Sequence, residues 1–195
     1  MKTITRKIYE YQELTPEAQQ RARGYYHERF EFIHDHVYAD AVQAAGLFGL
    51  DIAENHKTKS PVIYFSGFYS QGDGAAFSGD YKYSKGALDA VKAYAPCDEE
   101  LHRIVAELQS AQRNFFYRAE ARVTTQQDNS ISVSAEPERA ETALLGPLQD
   151  FADWIHKQLR VERDYQTSDD YIAERFDVNS YYFYASGALA PSSGD

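Results

Sequence analysis

The chain has 195 residues, 43% of them apolar, and its 30 acidic and 20 basic side chains leave a formal net charge of −10. This length and composition suit one domain that buries a core without staples, and they exclude a disordered chain. The acidic balance argues against direct nucleic-acid binding, which needs a basic surface, and a single cysteine, Cys97, excludes an intrachain disulfide.

In chain order, residues 3–11 alternate as a strand, with Ile4 and Ile8 on one face and Tyr9 and Tyr11 on the other. Leu14-Thr15-Pro16-Glu17 then reads as a helix start, with Thr15 as the cap, Pro16 in the first turn and Glu17 complementing the dipole. The apolar spacing carries that helix to about His34, and a second stretch from Val37 to Ala45 continues it or kinks from it before Gly46 and Gly49. A short strand is expected over 50–53.

Residues 62–83 form the densest segment, two aromatic strands around the polar turn Ser70-Gln71-Gly72-Asp73-Gly74. Gly67 falls in the middle of the first strand, which suggests a bulge or a close approach. The return strand places Ala75, Phe77, Gly79 and Tyr81 on one face and Asp80 and Lys82 on the other. Helices follow over 86–94 and 98–112, the second capped by Asp98 and striped with Leu101, Ile104, Val105 and Leu108.

Phe115 to Thr124 alternates as a long strand with Phe115, Tyr117, Ala119, Ala121 and Val123 inward, and it pairs through a 126–129 turn with a strand over 130–135. A long helix spans about 138–162, with Pro147 marking a kink or its true start. Ser168 caps a short helix to Phe176. Tyr181 to Ala185 is expected as a last strand of the same sheet. Together these elements predict an α+β fold, a mainly antiparallel sheet built from hairpins with several helices packed on one face. One domain, 1–190, is expected, with a flexible tail over 191–195.

Few residues combine into chemistry. No phosphate loop or nucleophile elbow is present, and Gly72-Asp73-Gly74 lacks the further oxygens of a calcium loop. His27, His34 and His36 do not form a zinc-type pair, so no metal and no cofactor are expected. Cys97 precedes a helix start with no histidine adjacent to it in sequence. Asp73 and Asp80 are the acids nearest the aromatic hairpin. The strongest electrostatic feature is the last third. Residues 136–195 hold 12 acidic and 5 basic side chains, including Asp164, Asp169, Asp170, Glu174 and Asp177. The opening residues lack the apolar run of a signal peptide, and no window approaches a membrane span, which predicts a cytoplasmic protein with no membrane partner.

Two stretches carry a resemblance. Ile8-Tyr9-Glu10-Tyr11-Gln12-Glu13-Leu14-Thr15-Pro16-Glu17-Ala18, followed by Arg21-Ala22-Arg23, resembles the start of a family of small phage and prophage proteins. Phe65-Ser66-Gly67-Phe68-Tyr69-Ser70-Gln71-Gly72-Asp73-Gly74-Ala75-Ala76-Phe77 resembles its central motif, with Tyr69 where a larger aromatic is expected. Some members of that family are labelled antitoxins, and it has no assigned catalytic residue to carry over. The resemblance implies a mobile-element origin and a site in the cytoplasm of a bacterial host.

The expected function is a non-enzymatic acidic protein that docks onto and inhibits a host protein with a basic surface, such as a CRISPR-type defence complex that itself binds nucleic acid. The residues expected to bind are Tyr69, Ser70, Gln71 and Asp73 of the hairpin turn and Asp164, Asp169, Asp170, Glu174 and Asp177. Two alternatives stand beside it. One is a ligand-binding protein or enzyme with a pocket over the 62–83 hairpin, walled by Tyr64, Tyr69 and Phe77. The other is the antitoxin of a toxin–antitoxin pair.

Overall fold

Three helices begin where a side chain is available to cap them. Thr15 Oγ1 accepts from Ala18 N, Asp98 Oδ1 from Leu101 N and Ser168 Oγ from Tyr171 N, each satisfying an otherwise orphaned first-turn amide. The structure, a computed structural model, describes residues 6–191; the start of the expected first strand and residues 192–195 of the expected tail lie outside the described residues. In order, the elements are α1 (Pro16–Glu28), α2 (Asp35–Leu47), β1 (Leu50–Ile52), β2 (Ile63–Phe65), β3 (Ala75–Phe77), β4 (Gly79–Lys82), α3 (Ala87–Tyr94), α4 (Glu99–Arg113), β5 (Glu120–Thr125), β6 (Ile131–Glu136), α5 (Glu141–Gln166) and α6 (Asp169–Val178). The fold is α+β with antiparallel pairing throughout both sheets.

The chain divides into two units, one made of Met1–Ile33 with Val161–Asp195 and one of His34–Arg160. In the first, α1 and α6 bury Ala18, Ala22, Ile172 and Phe176 together with Tyr11, Leu14 and Phe183. Phe176 is the hub, with ring centroids 5.2 Å from Tyr11 and 4.9 Å from Phe183. Gly187 has φ +84°, and a Cβ there would stand 2.2 Å from the Ala18 carbonyl oxygen, so only glycine lets this turn lie against α1.

Both ends of this unit depart from the sequence expectation. Tyr9 makes one isolated bridge with Phe183, and Tyr11–Glu13 is a 3₁₀ turn closed by reciprocal Glu10 and Glu13 capping bonds, so the capped turn replaces the strand. The expected strand over 181–185 is likewise two isolated bridges, Tyr9 with Phe183 and Phe183 with Leu189, and is not part of the sheet. α1 stops at Glu28 rather than His34, and α2 starts anew. The buried Gln166 amide holds Ile33 outside a helix, accepting from Ile33 N at 3.2 Å and donating to Ile33 O at 2.6 Å.

In the second unit the four-stranded sheet runs β1-β4-β5-β6. Leu50, Ile52, Tyr81, Ala121, Val123, Ile131 and Val133 are buried on one side, while Asp51, Asp80, Lys82, Glu120, Arg122, Ser132 and Ser134 are exposed on the other. Helices cover the apolar side, and Phe151 of α5 is the centre of its aromatic core, 5.0 Å from Phe48, 5.7 Å from Phe77 and 5.5 Å from Trp154. Each such ring, fully buried, contributes about 2–3 kcal/mol. The stripe Leu101, Ile104, Val105 and Leu108 is buried as its spacing predicts. The free edge of β6 is blunted by α5, since Ile131 N donates to Gln149 Oε1 and Ala135 N to Glu141 Oε1.

The central hairpin is not the middle of that sheet. β2 and β3 form a separate two-stranded sheet, and the chain crosses at Ser78 into β4. The connection is the nine-residue loop 66–74 rather than a five-residue turn, and Gly67 lies in that loop, not in a strand. The expected strand from Phe115 begins only at Glu120. Residues 113–118 instead close the C-terminus of α4, with Phe116 N donating to Arg113 O and Tyr117 N to Gln112 O. Pro147 neither starts nor ends α5, which runs through it from Glu141.

Candidate functional site

The loop 66–74 is held from within. Asp73 Oδ2 accepts from Tyr69 N at 2.8 Å and from Ser70 N at 2.7 Å, the arrangement in which a carboxylate fixes a turn. Gly67 lies against that carboxylate, and a Cβ there would stand 2.6 Å from Oδ2. Ser66 Oγ accepts from Asn129 Nδ2 at 2.8 Å, and His156 Nε2 stands 2.9 Å from the Gly67 carbonyl oxygen while its ring stacks on Phe68 at 5.3 Å. The Ser-Gly-Phe and Gly-Asp-Gly residues therefore shape a loop that presents Tyr69, 70% exposed, with Ser70 and Gln71 exposed beside it. Asp80 is not directed to this loop. It accepts from Arg122 Nε at 2.9 Å on the open sheet face, where a hollow of about 560 Å³ forms over Asp51, Asp80, Arg122 and Ser134.

A second hollow, about 800 Å³, is bordered by His34, Tyr38, Asp51, Glu54 and Lys59. Burial, with a smaller contribution from Asp35, pushes the Tyr38 phenol up to about 12. His34 engages Tyr38 and Phe65, with ring centroids at 4.8 and 5.3 Å. Among the described residues no group of three or more His, Cys, Asp or Glu stands in an arrangement that holds a metal ion. Cys97 is exposed.

The acidic residues of the last third lie on and before α6. Asp169 pairs with Arg23 Nε at 3.0 Å, and Asp164 is exposed, 4.0 Å from Arg163. Asp170, Glu174 and Asp177 are all exposed and stand four and three residues apart, so they share one helix face, opposite the buried Ile172 and Phe176. Beside that face is a concavity of about 320 Å³ lined by Glu10, Tyr11, Phe176, Asp177, Tyr181 and Tyr182. Both carboxylates and the tyrosine rings suit a cation, which gains from charge-assisted hydrogen bonds and from ring faces.

The residues that sequence reasoning passed over are in the 113–118 turn. Phe116 and Tyr117 have φ +55° and +60°, and Phe116 is 80% exposed. Phe116 occupies the left-handed position that closes a helix, where glycine is the usual residue. The buried Gln112 amide locks the turn, donating to Ala119 O at 2.7 Å and accepting from Ala119 N at 3.2 Å. Arg139 lies over the Phe115 ring at 5.8 Å, and Tyr117 meets Tyr83 at 4.6 Å. Alternation in the string Phe115-Phe116-Tyr117 mimics a strand. The signal against a strand is Gln112, a polar residue on the apolar stripe of α4.

No helix among the described residues is long and apolar enough to cross a membrane. The model of one protein family, described as a domain of unknown function (DUF8835), matches residues 33–169, a span that includes the 66–74 loop and the 113–118 turn. No curated protein and no solved structure matches the chain significantly.

Proposed function

The chain belongs to the DUF8835 family, a domain of unknown function, and on that premise we propose that it is a non-enzymatic docking protein that binds the basic surface of a host protein and blocks it. One observation carries the reading: Asp170, Glu174 and Asp177 line a single exposed face of α6, next to a concavity to which Glu10, Tyr181 and Tyr182 also contribute. A row of carboxylates at helical spacing covers a phosphate-binding surface by presenting charge of the same sign as phosphate. The partner class is therefore a nucleic-acid-binding protein. With the phage-type resemblance of residues 65–77, a defence complex of CRISPR type is the first to test. The 66–74 loop is the supporting contact, since Tyr69 and Gln71 are exposed on a backbone already fixed by Asp73, which spares the cost of ordering the loop on binding.

The immobilised protein should capture a basic nucleic-acid-binding protein from bacterial lysate at low salt and release it as salt rises. Addition of the free protein should then reduce that partner's nucleic-acid binding. The Asp170→Lys, Glu174→Lys, Asp177→Lys variant should capture none of it. Equal capture by both proteins, or capture indifferent to salt, would refute the reading.

A further inference from the structure

We propose that the 113–118 turn is a docking tip for a second copy of this chain, and that its acceptor is the acidic, tyrosine-rich end of α6; the inference rests on the reading of that end as a surface for basic groups. Phe116 is the starting point. At 80% exposure it contributes almost no packing, and at φ +55° it holds a backbone conformation that glycine adopts at lower cost. The fold gains little from this side chain, yet fixes the backbone that carries it through the closing bonds of α4 and the Gln112 clamp. An exposed aromatic on a fixed backbone, flanked in sequence by arginines, has the composition of an interface anchor. Arg113 and Arg118 are exposed on either side of it and have no carboxylate partner among the described residues.

The complementary surface is carried by the same chain. Val178, Tyr181 and Tyr182 are 69%, 42% and 39% exposed, and they adjoin Glu174 and Asp177 in sequence or across the 320 Å³ concavity. A cavity of about 150 Å³ holds one benzene ring, so this one has room for a guanidinium. Arg113 or Arg118 of one copy enters it between Glu10 and Asp177 of the other, while Phe116 rests on the exposed tyrosines. Donor and acceptor carry opposite charges, so salt weakens the contact.

The test is sedimentation velocity of the full chain over a concentration series at low and high salt. Wild type should gain mass with concentration at low salt and lose it at high salt. Phe116→Gly, Arg113→Glu with Arg118→Glu, and Glu174→Lys with Asp177→Lys should each weaken association roughly tenfold or more, with circular dichroism unchanged. Mixing the two charge-reversed variants should restore a complex, since the acidic tip of one then meets the basic acceptor of the other.

A wild type that stays monomeric, an undiminished Glu174→Lys, Asp177→Lys variant, or a mixture that does not associate would each overturn the proposal. So would binding of a labelled oligodeoxythymidine that Phe116→Gly abolishes, which would make the tip a nucleic-acid platform. An octa-arginine peptide reads the α6 face alone. Equal binding to wild type and Phe116→Gly shows that this face stands even where self-association fails, and no binding to either places the failure in the reading of α6.

Discussion

The 66–74 loop and the 113–118 turn invert each other. The loop has the glycines, the aspartate and the string-like character of a site, and the structure uses most of them internally. Asp73 is taken by two backbone amides, Gly67 makes room for its carboxylate, and Ser66 is tied to Asn129. The turn has no glycine and reads as plain strand, yet it holds two aromatic residues at positive φ and leaves one almost fully exposed. A conspicuous motif can be the cost of building a shape, whereas a side chain held against its conformational preference without packing gain marks a place where something else selects it.

The comparison can be broken most severely at Gln112. Gln112→Ala strands the buried N–H and C=O of Ala119 and should cost about 3 kcal/mol in urea unfolding. A loss below about 1 kcal/mol would mean that the turn needs no clamp.

Tyr81, a buried residue of β4, reports on the same region through pH. Burial pushes its phenol from its ordinary value of 10.0 up to about 12, with a hydrogen bond to Gln112 opposing that in part. The folded state therefore favours the neutral phenol. Its contribution is fully present below pH 10 and is lost as pH rises through 12, a fall of up to about 3 kcal/mol. Tyr81→Phe should flatten stability over that window, and tyrosinate absorbance should show one late-titrating group fewer.

At the loop, Gly67→Ala should cost about 2 kcal/mol by forcing the Asp73 carboxylate aside. Asp73→Ala should cost a similar amount through its two lost hydrogen bonds. The double variant should cost clearly less than the sum, because removing the carboxylate also removes the clash; strict additivity in denaturant titrations would show that the two residues act separately. The smallest effect has the opposite sign. Phe116→Gly should stabilise by about 1 kcal/mol, since it relieves a left-handed residue without removing buried area. A destabilised variant would return Phe116 to a structural role.

What could be read in the sequence was what neighbouring residues decide between themselves. Thr15, Asp98 and Ser168 cap the helices they precede, and the apolar stripe of α4 is buried position for position. Alternation in 115–124 and 130–135 found β5 and β6, although the first of them starts only at Glu120. The errors came where distant groups override a local pattern. Gln166 stops α1 early by holding Ile33 from 133 positions away, and His156 meets Gly67 across 89. The tyrosines of 181–184 have strand composition, but Phe183 is drawn into the aromatic cluster around Phe176, where single bridges suffice. The acidic residues of the last third were visible individually, while the concavity beside them depends on Glu10 and Tyr11, which no local pattern connects to Asp177.

The nesting of one unit within the other sets an order of assembly on the ribosome. His34–Arg160 is continuous and has all its residues once Arg160 has emerged. Tyr11, Leu14, Ala18 and Ala22 are made first but complete their core only when Ile172, Phe176 and Phe183 appear. At about 5–20 residues per second, Tyr11 to Ala22 wait on the order of ten to thirty seconds with their apolar side chains uncovered, until Ile172, Phe176 and Phe183 close over them.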